Sequence, residues 1–185
     1  MVENQNPSVQ KKPSSHERNL AFVDYIVRRC EANNGIRAGL KRADNPNTEY
    51  QGWDVLAGFG VDLLNEAERL SHAIIGADIA RTEPSGNGPV DIGRAIARCY
   101  KDGNKDEQAK SRLRRLLACD SVQEAVLILR PILRLIESRG AGPLNYASLL
   151  GGLRWFDHDD SRNRTKVRWA QEFYGRPEEG GGNDL

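Results

Sequence analysis

The 185-residue sequence predicts an all-α protein of eight or nine helices in two small helical bundles. Apolar residues recur at intervals of three and four along most of the chain, which is the spacing of one helix face. Alternation of apolar and polar residues, the pattern of a strand, is nowhere sustained. The turn cluster Asp102-Gly103-Asn104 near mid-chain is the predicted boundary between bundles spanning residues 14–102 and 103–175. Residues 1–13 and 176–185, which are polar or glycine-rich, are predicted to be disordered tails.

Four features define the helices of the first half. A capping box, Ser14-x-x-Glu17, begins a helix whose apolar face continues to Cys30, and Asn33-Asn34-Gly35 ends it. Short segments at 36–42 and 49–57 follow. A long amphipathic helix over 62–80 is predicted to turn these residues inward: Leu63, Leu64, Ala67, Leu70, Ala73 and Ile74. The proline- and glycine-rich loop at 83–89 interrupts the pattern.

In the second half, the helix over 90–100 directs Ile92, Ile96 and Cys99 inward, and another helix spans 106–119. Asp120-Ser121 caps a helix that continues to about residue 138, in which Pro131 is expected to cause a kink or a division. Asn145 is expected to cap a helix through residue 155, and Asp160-Ser161 to begin the last helix, through 174.

Aromatic residues concentrate near the C-terminus. Trp155, Phe156, Trp169 and Phe173 are predicted to join the last two helices, because large aromatic side chains bury well. Together with Tyr174, the two tryptophans and Phe173 recur at helical spacing, which favours a core role over base stacking. The isolated Trp53 lies near a loop and could equally anchor a subunit interface.

Composition excludes several classes of protein. The three cysteines, Cys30, Cys99 and Cys119, form no CxxC pair, so we interpret them as small core residues in a reducing environment. No apolar run approaches the roughly 20 residues of a membrane span, and residues 1–12 do not resemble a signal peptide. The sequence therefore predicts a soluble, cytoplasmic protein without membrane contact.

Catalytic and cofactor motifs are missing from the sequence: there is no GxSxG, P-loop, dinucleotide fingerprint or HExxH. The three histidines occupy unrelated positions, so we expect neither an enzyme nor a bound cofactor. Asp157-His158-Asp159-Asp160 resembles a metal-binding cluster but lacks the spacing of a calcium loop. It precedes a helix, where negative charge is favourable, so we interpret it as helix capping and predict no metal site.

Positive charge is unevenly distributed. Residues 110–168 contain twelve Lys and Arg against six Asp and Glu, whereas residues 1–100 contain twelve against thirteen. Such an excess indicates contact with a polyanion, although a solvated helix face looks the same. The candidate nucleic-acid contacts are Arg94, Arg98, Lys101, Lys110, Arg112, Arg115, Arg130, Arg134, Arg154, Arg164 and Arg168. Each of them could instead form a surface ion pair, for example with Glu124, Glu137 or Glu172.

Three stretches resemble a known family. They are VDIGRAIAR at 90–98, RLRRLLACD at 112–120, and the segment from Leu149 to Gly175, which contains LRWF at 153–156 and VRWAQEFYG at 167–175. In this order and spacing they resemble the CasB family, the small subunit of the type I-E CRISPR surveillance complex called Cascade. The resemblance covers most of residues 90–175.

The resemblance implies an all-α subunit without enzymatic activity, present in two copies along the belly of the complex. Its implied partners are the crRNA, the target and non-target DNA strands, the backbone and large subunits, and a second copy of itself. In this hypothesis guide pairing selects the sequence, while protein cations support nucleic-acid backbones in the R-loop. The alternative is a helical adaptor whose basic faces dock acidic protein surfaces and never contact nucleic acid.

Overall fold

Nine α-helices make up most of the computed structural model, which describes residues 13–175. They are α1 (Ser15–Ala32), α2 (Asn34–Leu40), α3 (Trp53–Phe59), α4 (Glu66–Thr82), α5 (Ile92–Arg98), α6 (Glu107–Leu117), α7 (Val122–Arg139), α8 (Tyr146–Leu153) and α9 (Asp159–Tyr174). Short 3-10 turns occur at Glu49–Gly52 and Gly103–Lys105. Residues 13–175 contain no β-strand, only an isolated bridge between Val90 and Leu144. The all-α prediction is confirmed, and the two predicted tails lie outside the described residues apart from Pro13.

Side-chain caps begin several helices where the sequence predicts them. Ser14 Oγ accepts a hydrogen bond from the Glu17 amide, and the Glu17 carboxylate accepts one from the Ser14 amide, which completes the capping box of α1. Ser121 and Asn145 cap α7 and α8 through their side-chain oxygens. Asn33 ends α1 and also caps α2. These helix N-termini can be predicted from sequence because each capping side chain binds an amide only a few residues away.

Helix α4 lies at the centre of the core, since every residue from 71 to 80 is buried. It packs against α1, α2, α7 and α8, and α1 also packs against α8. Two ionisable side chains on it are buried with hydrogen-bond partners. His72 Nδ1 donates a hydrogen bond to the Glu68 carbonyl, and burial lowers the pKa of His72 to about 4. Asp78 accepts hydrogen bonds from Arg81 and from the Tyr146 hydroxyl. These partners offset the cost of burying polar groups.

A second set of contacts joins α5, α6 and α9. Phe156 and Trp169 stack with their ring centroids 5.6 Å apart, and Phe173 is also buried, as predicted. Helices α5 and α9 touch at Gly93, where a Cβ atom would lie only 2.3 Å from the backbone oxygen of Trp169. A glycine is therefore required for this close approach. The predicted boundary at 102–104 stays a prediction, and buried residues on both sides of it form one continuous cluster.

Some of the predicted core residues are not in the core. Trp155 is 49% exposed and Tyr174 is 50% exposed, so the prediction of core packing is wrong for both. Helix α8 ends at Leu153, and the helical spacing on which the Trp155 prediction relied does not extend to that residue. Leu64 precedes α4 instead of lying within it, and it is 96% exposed. Pro131 does not divide α7, which continues through it.

The three cysteines are free and buried, in agreement with their interpretation as core residues. Within residues 13–175, no helix combines the length and the apolar composition that crossing a membrane requires.

Candidate nucleic-acid interface

An open groove runs between α5 and α9. One part, with a cavity volume of about 700 Å³, is lined by Arg94 of α5 and by Arg164, Val167 and Arg168 of α9. A second part of about 430 Å³ extends past Arg98 to the turn that follows α5. Arg94, Glu172 and Gly175 line both parts, so the two are continuous. We call this feature the α5–α9 groove.

The groove is strongly basic. Its charged lining consists of five cations and one carboxylate: Arg94, Arg98, Lys105, Arg164, Arg168 and Glu172. The structure therefore brings together four of the arginines predicted from sequence, two from each helix. Lys105 also lines the groove, although it is not among the candidates predicted from the sequence. It lies in the 3-10 turn at 103–105, and only its position shortly after α5 could have indicated it.

Helix geometry explains why these arginines share the groove. Arg94 and Arg98 are four residues apart on α5, and so are Arg164 and Arg168 on α9, which places each pair on one helix face. On α9, Trp169 and Phe173 are buried against α5 and the core. Anchoring of this inner face leaves both arginines at the exposed side, as the sequence predicts.

The arginines of the groove form few ion pairs and hydrogen bonds with the rest of the protein. Within residues 13–175, Arg94, Arg98 and Arg164 form no ion pair, and Arg164 donates one hydrogen bond to Ser161 Oγ at 3.2 Å. Arg168 Nε lies 3.6 Å from a Glu172 oxygen, and Arg168 also donates to the Ser148 carbonyl. Most of the guanidinium hydrogen-bonding capacity therefore remains available to an anion.

Glu172 is the single carboxylate that lines the groove. It accepts a hydrogen bond of 3.1 Å from the amide of Gly93, and its side chain is only 10% exposed. Burial, with a smaller contribution from the negative charge of Asp91, raises the pKa of Glu172 to about 7 against the opposing effects of the Gly93 amide, Arg168 and Arg94. A carboxyl with this pKa is partly protonated near neutral pH, so it neutralises less of the groove's positive charge than an ordinary glutamate.

Four of the other candidates occupy α6 or the turn between α5 and α6. Arg112 Nε donates to the hydroxyl of Tyr100 at 2.6 Å, which places it beside the second part of the groove, because Tyr100 lines that part. Lys101 and Arg115 are exposed and form no ion pair within the described residues. Lys110, on the same helix as Arg112 and Arg115, is paired with Glu107 at 2.8 Å.

Arg130 and Arg134 are directed at a buried carboxylate and do not line the groove. Both approach Asp44 Oδ2, at 3.8 and 3.7 Å, and Arg81 approaches the same oxygen at 3.1 Å. The Arg81 side chain is 6% exposed and also contacts Asp78. Arg130 and Arg134 therefore help to neutralise a buried acid, although both reach solvent at one edge.

Arg154 does not lie outside, and the prediction that it does is wrong. Its side chain is 10% exposed, it donates to Asn19 Oδ1 at 3.2 Å, and it lies 3.7 Å from a Glu68 oxygen. The residue directly follows α8, which packs against α1, so its guanidinium is enclosed between α1 and α4. Arg154 consequently joins helices in the core.

The acidic turn before α9 places carboxylates at the N-termini of two helices, although the N-cap residue of α9, His158, makes no side-chain capping bond. Asp157 Oδ1 accepts a 2.8 Å hydrogen bond from the Val122 amide at the start of α7, while Asp159 and Asp160 occupy the first turn of α9. Carboxylates at helix N-termini are favourable because they oppose the helix dipole. The part of the chain that the structure describes holds no group of three or more His, Cys, Asp or Glu side chains that could bind a metal ion.

Comparison with known families decides what kind of protein this is. The family model described as CRISPR-associated protein Cse2 matches residues 36–174. The chain belongs to the Cse2 family. The matched region includes both α5 and α9, and with them all the charged residues that line the groove. Comparison with curated proteins finds no match.

Solved structures of Cse2-family and CasB proteins share the fold. A Cse2-family protein from Thermus thermophilus aligns with a TM-score of 0.68 at 22% identity, covering 85% of this chain and 98% of its own. CasB from Thermobifida fusca aligns with a TM-score of 0.65 at 20% identity and with the same coverage. CasB from M. ruber gives 0.67 at 22% identity, covering 88% and 94%.

The family assignment predicted from the C-terminal motifs is thus confirmed. Cse2 proteins are non-catalytic subunits of CRISPR Cascade complexes, and the general role of this Cse2-family chain is that of a subunit working with other Cas proteins.

Proposed function

We propose that this Cse2-family chain supports nucleic acid in a type I-E CRISPR surveillance complex by holding a sugar-phosphate backbone in the α5–α9 groove. The observation that carries the proposal is the groove itself, which collects five cations around one partly protonated carboxylate. Three of its arginines form no ion pair within the described residues.

The groove suits a backbone better than a base sequence. Guanidinium groups recognise phosphate through paired N–H donors, and this contact is the same for every sequence. The tryptophan nearest to the groove, Trp169, is buried, so it is not available for base stacking. In this proposal crRNA pairing selects the target, and the groove supports the crRNA, the target strand or the displaced strand during R-loop formation.

The remaining parts of the proposal rest on the family. The partners are the crRNA, both DNA strands, the backbone and large subunits and a second copy of the chain, and the complex operates in the cytoplasm. No catalytic step is assigned to the chain, since Cse2 proteins act as structural subunits. Nuclease turnover by the purified chain would contradict this part.

Salt-dependent binding tests the groove. The affinity for a fluorescently labelled oligothymidylate should fall steeply with salt concentration, because each neutralised phosphate releases counterion. Arg94→Glu/Arg98→Glu should weaken binding and lower the magnitude of the log–log salt slope by about 0.7 for each phosphate that the protein no longer neutralises. The matched control is Arg28→Glu, which reverses an exposed arginine on α1 away from the groove.

The same variants separate the proposal from an adaptor that never meets nucleic acid. If Arg94→Glu/Arg98→Glu binds the oligonucleotide as Arg28→Glu does, the groove is not the binding site. If the reversed chain still assembles into the complex but R-loop formation declines, a role limited to adaptor contacts is excluded. If assembly fails while nucleic-acid binding stays normal, the adaptor role is favoured.

A further inference from the structure

One segment of the chain has the opposite charge to the groove and exposes apolar side chains. Residues 43–68 contain no Lys or Arg but six carboxylates: Asp44, Glu49, Asp54, Asp62, Glu66 and Glu68. Of the seven large apolar side chains exposed in residues 13–175, three lie in this segment: Tyr50, Trp53 and Leu64. We call these three residues, with the exposed Asp54, Asp62 and Glu66, the acidic apolar patch.

Hydrogen bonds hold the parts of the patch together. Glu49 Oε1 accepts from Trp53 Nε1 at 3.3 Å and from Arg69 Nε at 2.8 Å. Arg69 in turn donates through Nη1 to the Leu63 carbonyl at 2.8 Å. Through Glu49 and Arg69, the start of α3 is therefore tied to the segment that contains Leu64. The exposed tryptophan and the segment of Leu64 are thus held by one hydrogen-bonded network.

Leu64 is fixed in position although its side chain is almost fully exposed. Its amide donates to Asp62 Oδ1 at 3.0 Å, and the next residue, Asn65, caps α4 by accepting from the Glu68 amide. Single exposed apolar residues are common on protein surfaces. A leucine held in a segment that is hydrogen-bonded, through Arg69 and Glu49, to an exposed tryptophan is different, because exposed apolar residues grouped in this way mark interaction sites.

The charge around these side chains selects the kind of partner. Asp54, Asp62 and Glu66 are exposed, whereas Arg69 is paired with Glu49 and Glu66. Arg18 and Arg42 reach the edges of the segment, where Arg18 is paired with Glu68 and Arg42 binds the Gln51 side chain. The uncompensated charge is negative, which repels nucleic acid and attracts a basic protein surface.

We propose that the acidic apolar patch is the docking surface for a protein subunit of the complex that presents Lys or Arg side chains around an apolar pocket, with Leu64 inserted into that pocket. This inference goes beyond the function of the groove. It assigns protein contact and nucleic-acid contact to separate surfaces of one chain.

Retention in the assembled complex tests the patch. The chain is co-expressed with the other subunits and guide RNA of its own complex, the complex is purified through a different subunit, and the chain is quantified by mass spectrometry. Leu64→Ser should lower the retained fraction about tenfold, the effect of a central apolar contact. Trp155→Ser, which changes an exposed apolar residue outside both the patch and the groove, is the control and should be retained like the unmodified chain.

A second variant tests the charge. Asp54→Asn/Asp62→Asn/Glu66→Gln removes three negative charges, and the asparagine at 62 keeps an oxygen that can accept from the Leu64 amide. This variant should also be retained less, and its retention should depend less on salt than that of the unmodified chain. Both variants should bind oligothymidylate at least as well as the unmodified chain, which keeps this test separate from that of the groove.

Three results would overturn the assignment. Unchanged retention of Leu64→Ser would show that the patch is not a docking surface. Stronger retention of the neutralised variant would indicate an acidic partner or nucleic acid. Self-association of the isolated chain that Leu64→Ser abolishes would make a second copy the occupant, in place of a basic subunit.

Discussion

Substitution of Glu172 by glutamine should change how both stability and nucleic-acid binding depend on pH. Burial and Asp91 raise the pKa of Glu172 from 4.5 to about 7 in the folded protein. The folded state therefore binds this proton more tightly than the unfolded state. The contribution of Glu172 to the free energy of unfolding should be greatest below about pH 4.5. It should decline as the pH rises to about 7. Above that pH the contribution is constant.

The size of the effect follows from the shift. A rise in pKa from 4.5 to about 7 corresponds to roughly 3 kcal/mol of stability lost on ionisation. In Glu172→Gln the side-chain oxygen can still accept from the Gly93 amide, but no charge is buried. At pH 8 the variant should be more stable than the unmodified chain by up to about 3 kcal/mol, and near pH 5 the two should be nearly equal. Urea unfolding at both pH values measures this difference.

Binding should respond to the same proton. Phosphate beside Arg94 and Arg168 disfavours the ionised carboxyl, so binding should be accompanied by proton uptake and weaken as the pH rises. Because the pKa of Glu172 is about 7 in the protein without nucleic acid, the binding affinity should decrease by at most about tenfold between pH 6 and pH 8. Glu172→Gln should bind with nearly the same affinity at both pH values, measured by fluorescence anisotropy at constant ionic strength.

A histidine substitution provides the control, because histidines also titrate in this pH range. His158→Gln removes the exposed imidazole before α9 and should leave the pH dependence of binding in place. The reasoning about Glu172 is refuted if Glu172→Gln retains the pH dependence of the unmodified chain. It is also refuted if the unmodified chain gains stability, relative to Glu172→Gln, between pH 5 and pH 7.5.

Further predictions concern packing, and urea unfolding measures each of them. Gly93→Ala should destabilise the chain by about 1–3 kcal/mol, because the new Cβ would lie 2.3 Å from a backbone oxygen of α9; Gly86→Ala, with no atom within 4 Å, should be nearly neutral. Phe156→Ala should cost about 3–5 kcal/mol, whereas Trp155→Ala, at a half-exposed position, should cost under about 1 kcal/mol. Asp44→Asn should cost about 3–5 kcal/mol because it leaves its arginine partners without their carboxylate. An unchanged urea midpoint for Gly93→Ala, Phe156→Ala or Asp44→Asn would contradict the corresponding contact.

Local chemistry explains what the sequence could predict. The capping serine at 14 and the capping asparagine at 145 bind amides within three residues, so the relevant partners are visible in the sequence itself. The buried positions of α7 recur at helical spacing and are likewise predictable. The motifs in the C-terminal half predicted the family and, through it, an all-α subunit.

Contacts between distant segments explain what the sequence could not predict. Nothing local distinguishes Arg154, which is buried against Asn19 and Glu68, from Arg164, which lines the groove. The close approach at Gly93, which brings α5 and α9 together, involves residues far apart in the chain. For the same reason Glu172 could be read only as a possible ion-pair partner, although it is also a buried carboxyl with a raised pKa.

These different surroundings decide which arginine substitutions can report on binding. Reversal of Arg94 or Arg98 breaks no ion pair among residues 13–175, so a loss of affinity can be attributed to the groove. Reversal of Arg154 would place a carboxylate beside Glu68 in a largely enclosed site and should cost several kcal/mol of stability. It would abolish binding through unfolding. Arg130 and Arg134 are intermediate, since both neutralise Asp44 and reach solvent. A basic surface on this chain is therefore best mapped from α5 and α9, with stability measured for each variant.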